Sequence, residues 1–206
     1  MQRIQHVRMS GKAAKLHLAL SGLPDFTGVA PEQSGERLVI APDLVYVEHA
    51  FNHSKYGEYS AEPVLEISVP SVHDDTLAPA GQHVLSAIVQ YAPYEIKSGW
   101  ETSRERFLDK IMLVLSRYAP NIREQVLHSQ LLTPVDIEAQ FGMTGGHWHH
   151  GELALDQALM LRPVPGAAQY AAPVAGLYLC GAGCHPGGGV MGSAGYNAAT
   201  ALINAR

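Results

Sequence analysis

Five glycines fall within the nine residues from Gly181 to Gly189, and this cluster constrains the chain more than any other stretch. A backbone without Cβ atoms can turn sharply and let another group come close. An apolar run, Leu177, Tyr178, Leu179 and Cys180, stands just before it and reads as a buried strand. The alanine-rich segment that follows, out to Arg206, reads as a helix. A strand, a glycine loop and a helix in that order gather bare N–H groups and the positive end of a helix at one place. Such a place suits a phosphate or another electron-rich group. Turn chemistry alone accounts poorly for so many glycines in that context.

The rest of the chain reads as a globular protein. Hydrophobic residues make up 47% of the 206 residues and charged residues 16%, enough apolar material for a real core. The net charge of −5 gives no electrostatic case for nucleic acid. No run approaches the ~18 apolar residues of a membrane span, so no transmembrane segment is expected. Both cysteines, Cys180 and Cys184, lie in the glycine motif; two thiols make no disulfide framework, and a cytoplasmic setting is expected.

Periodicity supplies the elements. Lys15–Leu20 alternates polar and apolar residues, as a half-buried strand does, and Arg37–Ile40 reads as a second short strand. Pro42 to about Lys55 reads as a helix with proline near its first turn. Val64–Val69 and His83–Tyr91 are strands joined by a loop rich in Pro, Asp and Ser, most economically as an antiparallel pair. Glu101–Tyr118 places Phe107, Ile111, Val114, Leu115 and Tyr118 on one helical face. Ile122–Leu132 reads as extended. Thr133-Pro134-Val135-Asp136 reads as a helix start, with Thr133 as cap and Pro134 in the first position. Gly142–Gly151 is a loop crowded with histidines, and Arg162–Ala175 is irregular.

Several stretches together resemble the C-terminal part of the phytoene-desaturase-like FAD-dependent oxidoreductases. They are Ala14–Phe26 (AKLHLALSGLPDF), Pro63–Pro79 (PVLEISVPSVHDDTLAP), Val89–Tyr94 (VQYAPY), Thr133–Glu138 (TPVDIE), Gly145–Leu153 (GGHWHHGEL), Arg162–Pro165 (RPVP) and Gly176–Ala199. Within that family they resemble the branch of the mitochondrial pyridine nucleotide-disulphide oxidoreductase domain protein and its bacterial relatives. The resemblance implies an α/β (α+β) chain. Residues 1–150 would form part of a substrate domain with a mixed, largely antiparallel sheet and helices. Residues 151–206 would form the C-terminal strand, glycine loop and helix of a Rossmann-like FAD domain.

The resemblance also implies a cofactor, FAD. Gly181, Ala182 and Gly183 would lie by its ribityl–pyrophosphate region, Gly188 would also contact the cofactor, and Gly189, Val190, Met191 and Gly192 would bring backbone close to the isoalloxazine. A helix N-terminus there would stabilise negative charge on a reduced flavin. Gly189 is expected to tolerate no side chain. Relatives often carry Thr where this chain has Cys184. No G-x-G-x-x-G following a strand occurs before residue 181. The chain therefore reads as the C-terminal portion of a longer enzyme, with a missing N-terminal FAD-binding half as its first partner. A small apolar substrate and homo-oligomerisation through an uncovered apolar surface complete the expectation. The other function to weigh is a non-catalytic binding or interaction module.

The remaining chemistry-bearing residues have plainer readings. His147, His149 and His150 suggest a metal site, but no cysteine or carboxylate pair stands beside them at a usual zinc spacing. The resemblance implies instead a loop lining the flavin or substrate cavity, with Trp148 as packing. Cys184-His185 lacks a third orienting group for nucleophilic catalysis, so His185 reads as a loop residue. His73-Asp74-Asp75 reads as turn capping. Arg162 could reach a phosphate or carboxylate, or tie loop carbonyls together. Tyr170 reads as an ordinary buried tyrosine. No residue stands out as a catalytic acid or base.

Overall fold

Alternation along the first strand sets the architecture. In β1 (Ala13–Leu20) every second residue, Ala14, Leu16, Leu18 and Leu20, is buried, while Lys15 and His17 lie on the opposite face. The computed structural model describes residues 2–189 and 191–205 and divides into two compact units. One is Lys12–Gln140; the other joins Met1–Gly11 to Phe141–Arg206.

The first unit is built on a five-stranded sheet in the order β2-β3-β4-β1-β5, with β2 at Leu38–Ile40, β3 at Val64–Ser68, β4 at His83–Gln90 and β5 at Val126–Leu132. Every neighbouring pair is antiparallel. The expected mixed sheet is thus wholly antiparallel among the described residues. One face is apolar and carries the core; the other is polar, with Arg37 paired to Glu66 at 3.3 Å and Gln90 donating to the same carboxylate.

Ahead of the sheet, α1 (Gln2–Gln5) is a single turn in the other unit. Helix α2 (Leu44–Lys55) begins two residues after Pro42, because Asp43 caps it by accepting from the Tyr46 N–H at 2.7 Å. Helix α3 (Trp100–Tyr118) covers the core with Phe107, Ile111, Val114 and Leu115. Tyr59, Trp100 and Phe107 cluster at its start with centroids 4.8–5.9 Å apart. The expected extended run from Ile122 opens instead with one helical turn, α4 (Ile122–Gln125), which seats the fully buried Ile122 before β5 returns along β1.

Helix α5 (Pro134–Phe141) starts as its sequence predicts. The Thr133 N–H and hydroxyl both donate to Asp136 at 2.7 Å, and Arg104 from α3 forks onto the same carboxylate. Burial alone would raise the Asp136 carboxyl, but the donors from Arg104 and Thr133 outweigh it and hold it below its ordinary value.

The second unit is mostly irregular, with short 3₁₀ turns and one longer helix, α6 (Ser193–Asn204). Leu177–Cys180 is not a strand. It makes one β-bridge, Ala171 to Tyr178, and Leu177 and Leu179 are 47% and 38% exposed. Its neighbour is too short for a ladder, because Pro173 and the turn closed by Leu177 N–H to Val174 O interrupt it. Helix α6 is small inside and large outside. Ala194 and Ala198 pack with Tyr170 and Cys184, whereas Tyr196 and Ile203 are 75% and 70% exposed.

Candidate functional site

Arg162 organises the second unit. Its side chain is buried, and all its described bonds go to backbone carbonyls. Nε donates to Gln157 O at 2.9 Å, and Nη1 to His149 O and Ala182 O, both at 2.8 Å. Nη2 donates to Gly151 O at 2.7 Å and, more weakly, to Glu152 O at 3.4 Å. Of its two readings, the structure therefore selects the one that ties loop carbonyls together. The five-donor fork of arginine suits this task, since no other side chain spans carbonyls from three segments. Burial lowers the guanidinium pKa without a carboxylate to restore it.

Through Ala182 this hub fixes the first half of the glycine loop. The Cys184 N–H closes a turn onto Gly181 O at 3.0 Å. Gly181, Ala182 and Gly183 line a cavity of about 300 Å³ together with Cys180, Cys184 and His150. Its other walls are Ile4, Val7, Met9, Pro163 and Leu179, so it is largely apolar. The N-terminal lining was not anticipated from sequence; the spacing of Ile4 and Val7, three apart, was its only sign. Residues 8 and 9 are held there by the Gln157 side chain, which bonds both the N–H and the C=O of Arg8, and by the Arg8–Asp156 fork.

The second half of the loop lies outside this lining. Gly188 packs close to Ala182: a Cβ on it would stand 3.0 Å from the Ala182 Cβ. The backbone at Gly189 makes no demand for glycine. A Cβ there would meet only the flexible tip of Met191 at 3.3 Å, and its φ is not in the left-handed region. The glycine requirement falls instead on Gly187 and Gly192, with φ of 119° and 64°. Met191 is 80% exposed. Val190 lies outside the described residues. Gly192 is the N-cap of α6 and offers no side chain to its first-turn N–H groups.

The histidines divide. His150 lines the cavity, whereas His147 and His149 do not. The rings of His147 and His149 are 5.9 Å apart, and among the described residues no three His, Cys, Asp or Glu side chains converge as a metal site would. Burial, then the neighbouring His149 and Arg162, lower the pKa of His147; burial and then Arg162 and His150 lower that of His149. Both imidazoles are thus held toward the neutral form. Among the described residues the buried Nδ1 atoms of His147 and His185 have no hydrogen-bond partner. Tyr170 donates to His185 O at 3.0 Å and accepts from Asn197 of α6 at 2.9 Å, fixing the histidine backbone to the helix. Cys184 is buried and its thiol pKa is raised by that burial, while Cys180 is exposed. The His73-Asp74-Asp75 run caps turns: Asp74 accepts from the Thr76 N–H at 3.0 Å, and His73 Nε2 lies 3.1 Å from Gly35 O.

Comparison with known proteins adds what geometry cannot. No family model matches the chain. It is 40% identical over 211 residues to rat pyridine nucleotide-disulfide oxidoreductase domain-containing protein 2, covering 97% of this chain and 36% of that protein. It is 30% identical over 159 residues to the lycopene-forming phytoene desaturase of Pantoea ananas, covering 75% of this chain and 30% of the desaturase. It is 31% identical over 117 residues to one subunit of the limonene dehydrogenase of Castellaniella defragrans, covering 56% of this chain and 21% of that polypeptide. The chain thus spans about a third or less of the length of these relatives. Among the described residues no helix is long and apolar enough to cross a membrane. By sequence the chain is thus similar, over most of its length, to part of the pyridine nucleotide-disulfide oxidoreductase domain-containing protein 2 and of the phytoene desaturases.

Proposed function

We propose that this chain is the flavin-side part of an FAD-dependent oxidoreductase that acts on a small apolar substrate. The observation that carries the proposal is the glycine-lined cavity of Gly181, Ala182 and Gly183, followed by a glycine run into an uncapped α6. The residues fit the group. Added Cβ atoms at Gly181 and Gly192 would enter open space. Gly181–Gly183 would hold the ribityl–pyrophosphate region, and Gly188, Gly189, Val190, Met191 and Gly192 the isoalloxazine. FAD, when bound, supplies the acceptor for hydride leaving a C–H bond. The chain's own residues do the rest. Arg162 keeps the loop rigid, the α6 N-terminus places positive potential beside the site, and the apolar walls exclude water. Burial holds His147 and His149 toward the neutral form.

Two of the relatives carry names that refer to phytoene and limonene, both hydrocarbons, which supports an apolar substrate. In this reading residues 1–150 belong to the substrate side and 151–206 to the FAD domain. The dinucleotide fingerprint that would hold the ADP moiety comes from an N-terminal half, and the reaction takes place in the cytoplasm. The chain alone then binds FAD weakly or not at all. Co-expression with a polypeptide carrying G-x-G-x-x-G should yield a yellow complex. A colourless complex, or a chain that is yellow on its own, would refute the division of labour.

One observation favours a second reading, a binding module. Met191, Tyr196 and Ile203 expose large apolar side chains along one end of the second unit. Such a surface recruits either the N-terminal half or another copy of the chain. Light scattering across a concentration series separates the cases: self-association is expected of a part-enzyme whose apolar surface is uncovered, and a monodisperse monomer at high micromolar concentration favours an autonomous module.

A further inference from the structure

In a chain of net charge −5, three cations that pair with no acid line one cavity of the sheet unit. Lys97, Arg106 and Lys110 border a recess of about 360 Å³ with Ser98 and Ser103. Among the described residues none of the three side chains has an ion-pair or hydrogen-bond partner. The single acid in the lining, Glu58, stands 3.7 Å from His53 Nδ1. Glu101, Glu105 and Asp109 belong to the same helix but not to the lining.

Local structure explains the cluster. Ser103, Arg106 and Lys110 are spaced three and four apart on α3 and so share one face. Ser103 is buried and bonds Ser98 at 2.6 Å, which fixes the loop that carries Lys97. The Lys97 N–H donates to Gly57 O at 2.9 Å, and the lysine stem runs over Gly57, where a Cβ would lie 3.6 Å from its Cγ. Helix α3 starts after Gly99, which has a φ of 71° and gives no side-chain cap, so its first-turn N–H groups add positive potential beside Ser98. Three cations against the single acid Glu58 leave the lining with an excess of positive charge, which a bridging anion would neutralise.

We propose that this recess binds the phosphate or diphosphate group of a small soluble ligand, with Arg106 as the forked donor and Lys97 and Lys110 as point charges. The site is separate from the glycine loop and does not rest on the flavin reading.

The test is a titration of the isotopically labelled full chain with inorganic pyrophosphate, followed by amide chemical shifts, with inorganic phosphate and ADP as parallel ligands. Saturable shifts are expected at residues 97–103. Arg106→Gln and Lys110→Gln should each weaken binding about tenfold, the effect of losing one charge-assisted hydrogen bond. Arg37→Gln removes the same charge elsewhere and should leave affinity unchanged. Tighter binding of ADP than of pyrophosphate would assign a nucleotide; equal binding would assign the diphosphate itself. Shifts confined to residues 181–193, no saturable shift at all, or equal weakening by Arg37→Gln would overturn the proposal. The three cations are solvent-accessible, and circular dichroism of each variant checks that the fold is kept.

Discussion

Replacing Arg162 by methionine keeps the apolar stem and deletes the fork. Four bonds of 2.7–2.9 Å, to Gln157, His149, Ala182 and Gly151, disappear together. A hydrogen bond from a charged donor contributes about 1.5–3 kcal/mol net, so a simple sum would exceed ~6 kcal/mol. That sum is too large, because burying the guanidinium costs several kcal/mol that the variant no longer bears. Each carbonyl left buried without its donor costs about 1–3 kcal/mol, and with part of that offset by the guanidinium desolvation no longer borne we expect a net loss of ~3–4 kcal/mol. Native-state hydrogen exchange reads it locally. Amides in segments 147–152 and 181–184 should exchange faster by about two to three orders of magnitude. Arg162→Lys keeps the charge but gathers its donors at one point, so it should recover less than half of the loss. Exchange in those segments that rises less than about fivefold in Arg162→Met, under 1 kcal/mol, would refute the hub.

Three further outcomes follow from local geometry. Gly145→Ala should destabilise by at least ~2 kcal/mol more than Gly142→Ala, since both have φ near 65° but only the Gly145 Cβ would collide with a backbone atom, the Met9 carbonyl at 1.9 Å; equal urea midpoints would sink this. The Asp136 carboxyl is depressed in the folded state, so its stabilisation is complete above the unfolded value of about 3.9 and is lost as pH falls through the folded value. Asp136→Asn should therefore flatten the acid limb of stability against pH, and an unchanged slope would count against the Arg104–Asp136–Thr133 cluster. Gly189→Val should be milder in its effect on thermal stability than Gly192→Val, because only Gly192 has a left-handed φ; the reverse order in a melting curve would contradict the loop conformation.

How much of the molecule is legible in its sequence depends on period and on reach. KLHLAL and VLEISV betray their strands because one face is buried and the other is not. Thr133-Pro134 betrays α5 because a cap is a local event. The start of α2 lies two residues past its expected place, since Asp43 competes with Pro42 as the punctuating residue and its bond to Tyr46 decides. Leu177–Cys180 misleads because an apolar run says nothing about whether a neighbouring strand exists. The glycine loop is visible as composition, but which of its glycines are conformationally required is not. Arg162 and the Ile4–Met9 wall are hidden for a different reason: their partners lie many residues away in sequence.

The central claim, that the glycine loop meets the flavin, is tested most directly with riboflavin, which lacks phosphate and so does not address the cationic recess on α3. Added to the isotopically labelled chain in complex with a G-x-G-x-x-G polypeptide, riboflavin should shift the amides of Gly188, Gly189, Met191 and Gly192 and of the first turn of α6, and leave residues 97–103 unmoved. Shifts spread over the sheet unit, or none in the loop at saturating riboflavin, would contradict the account.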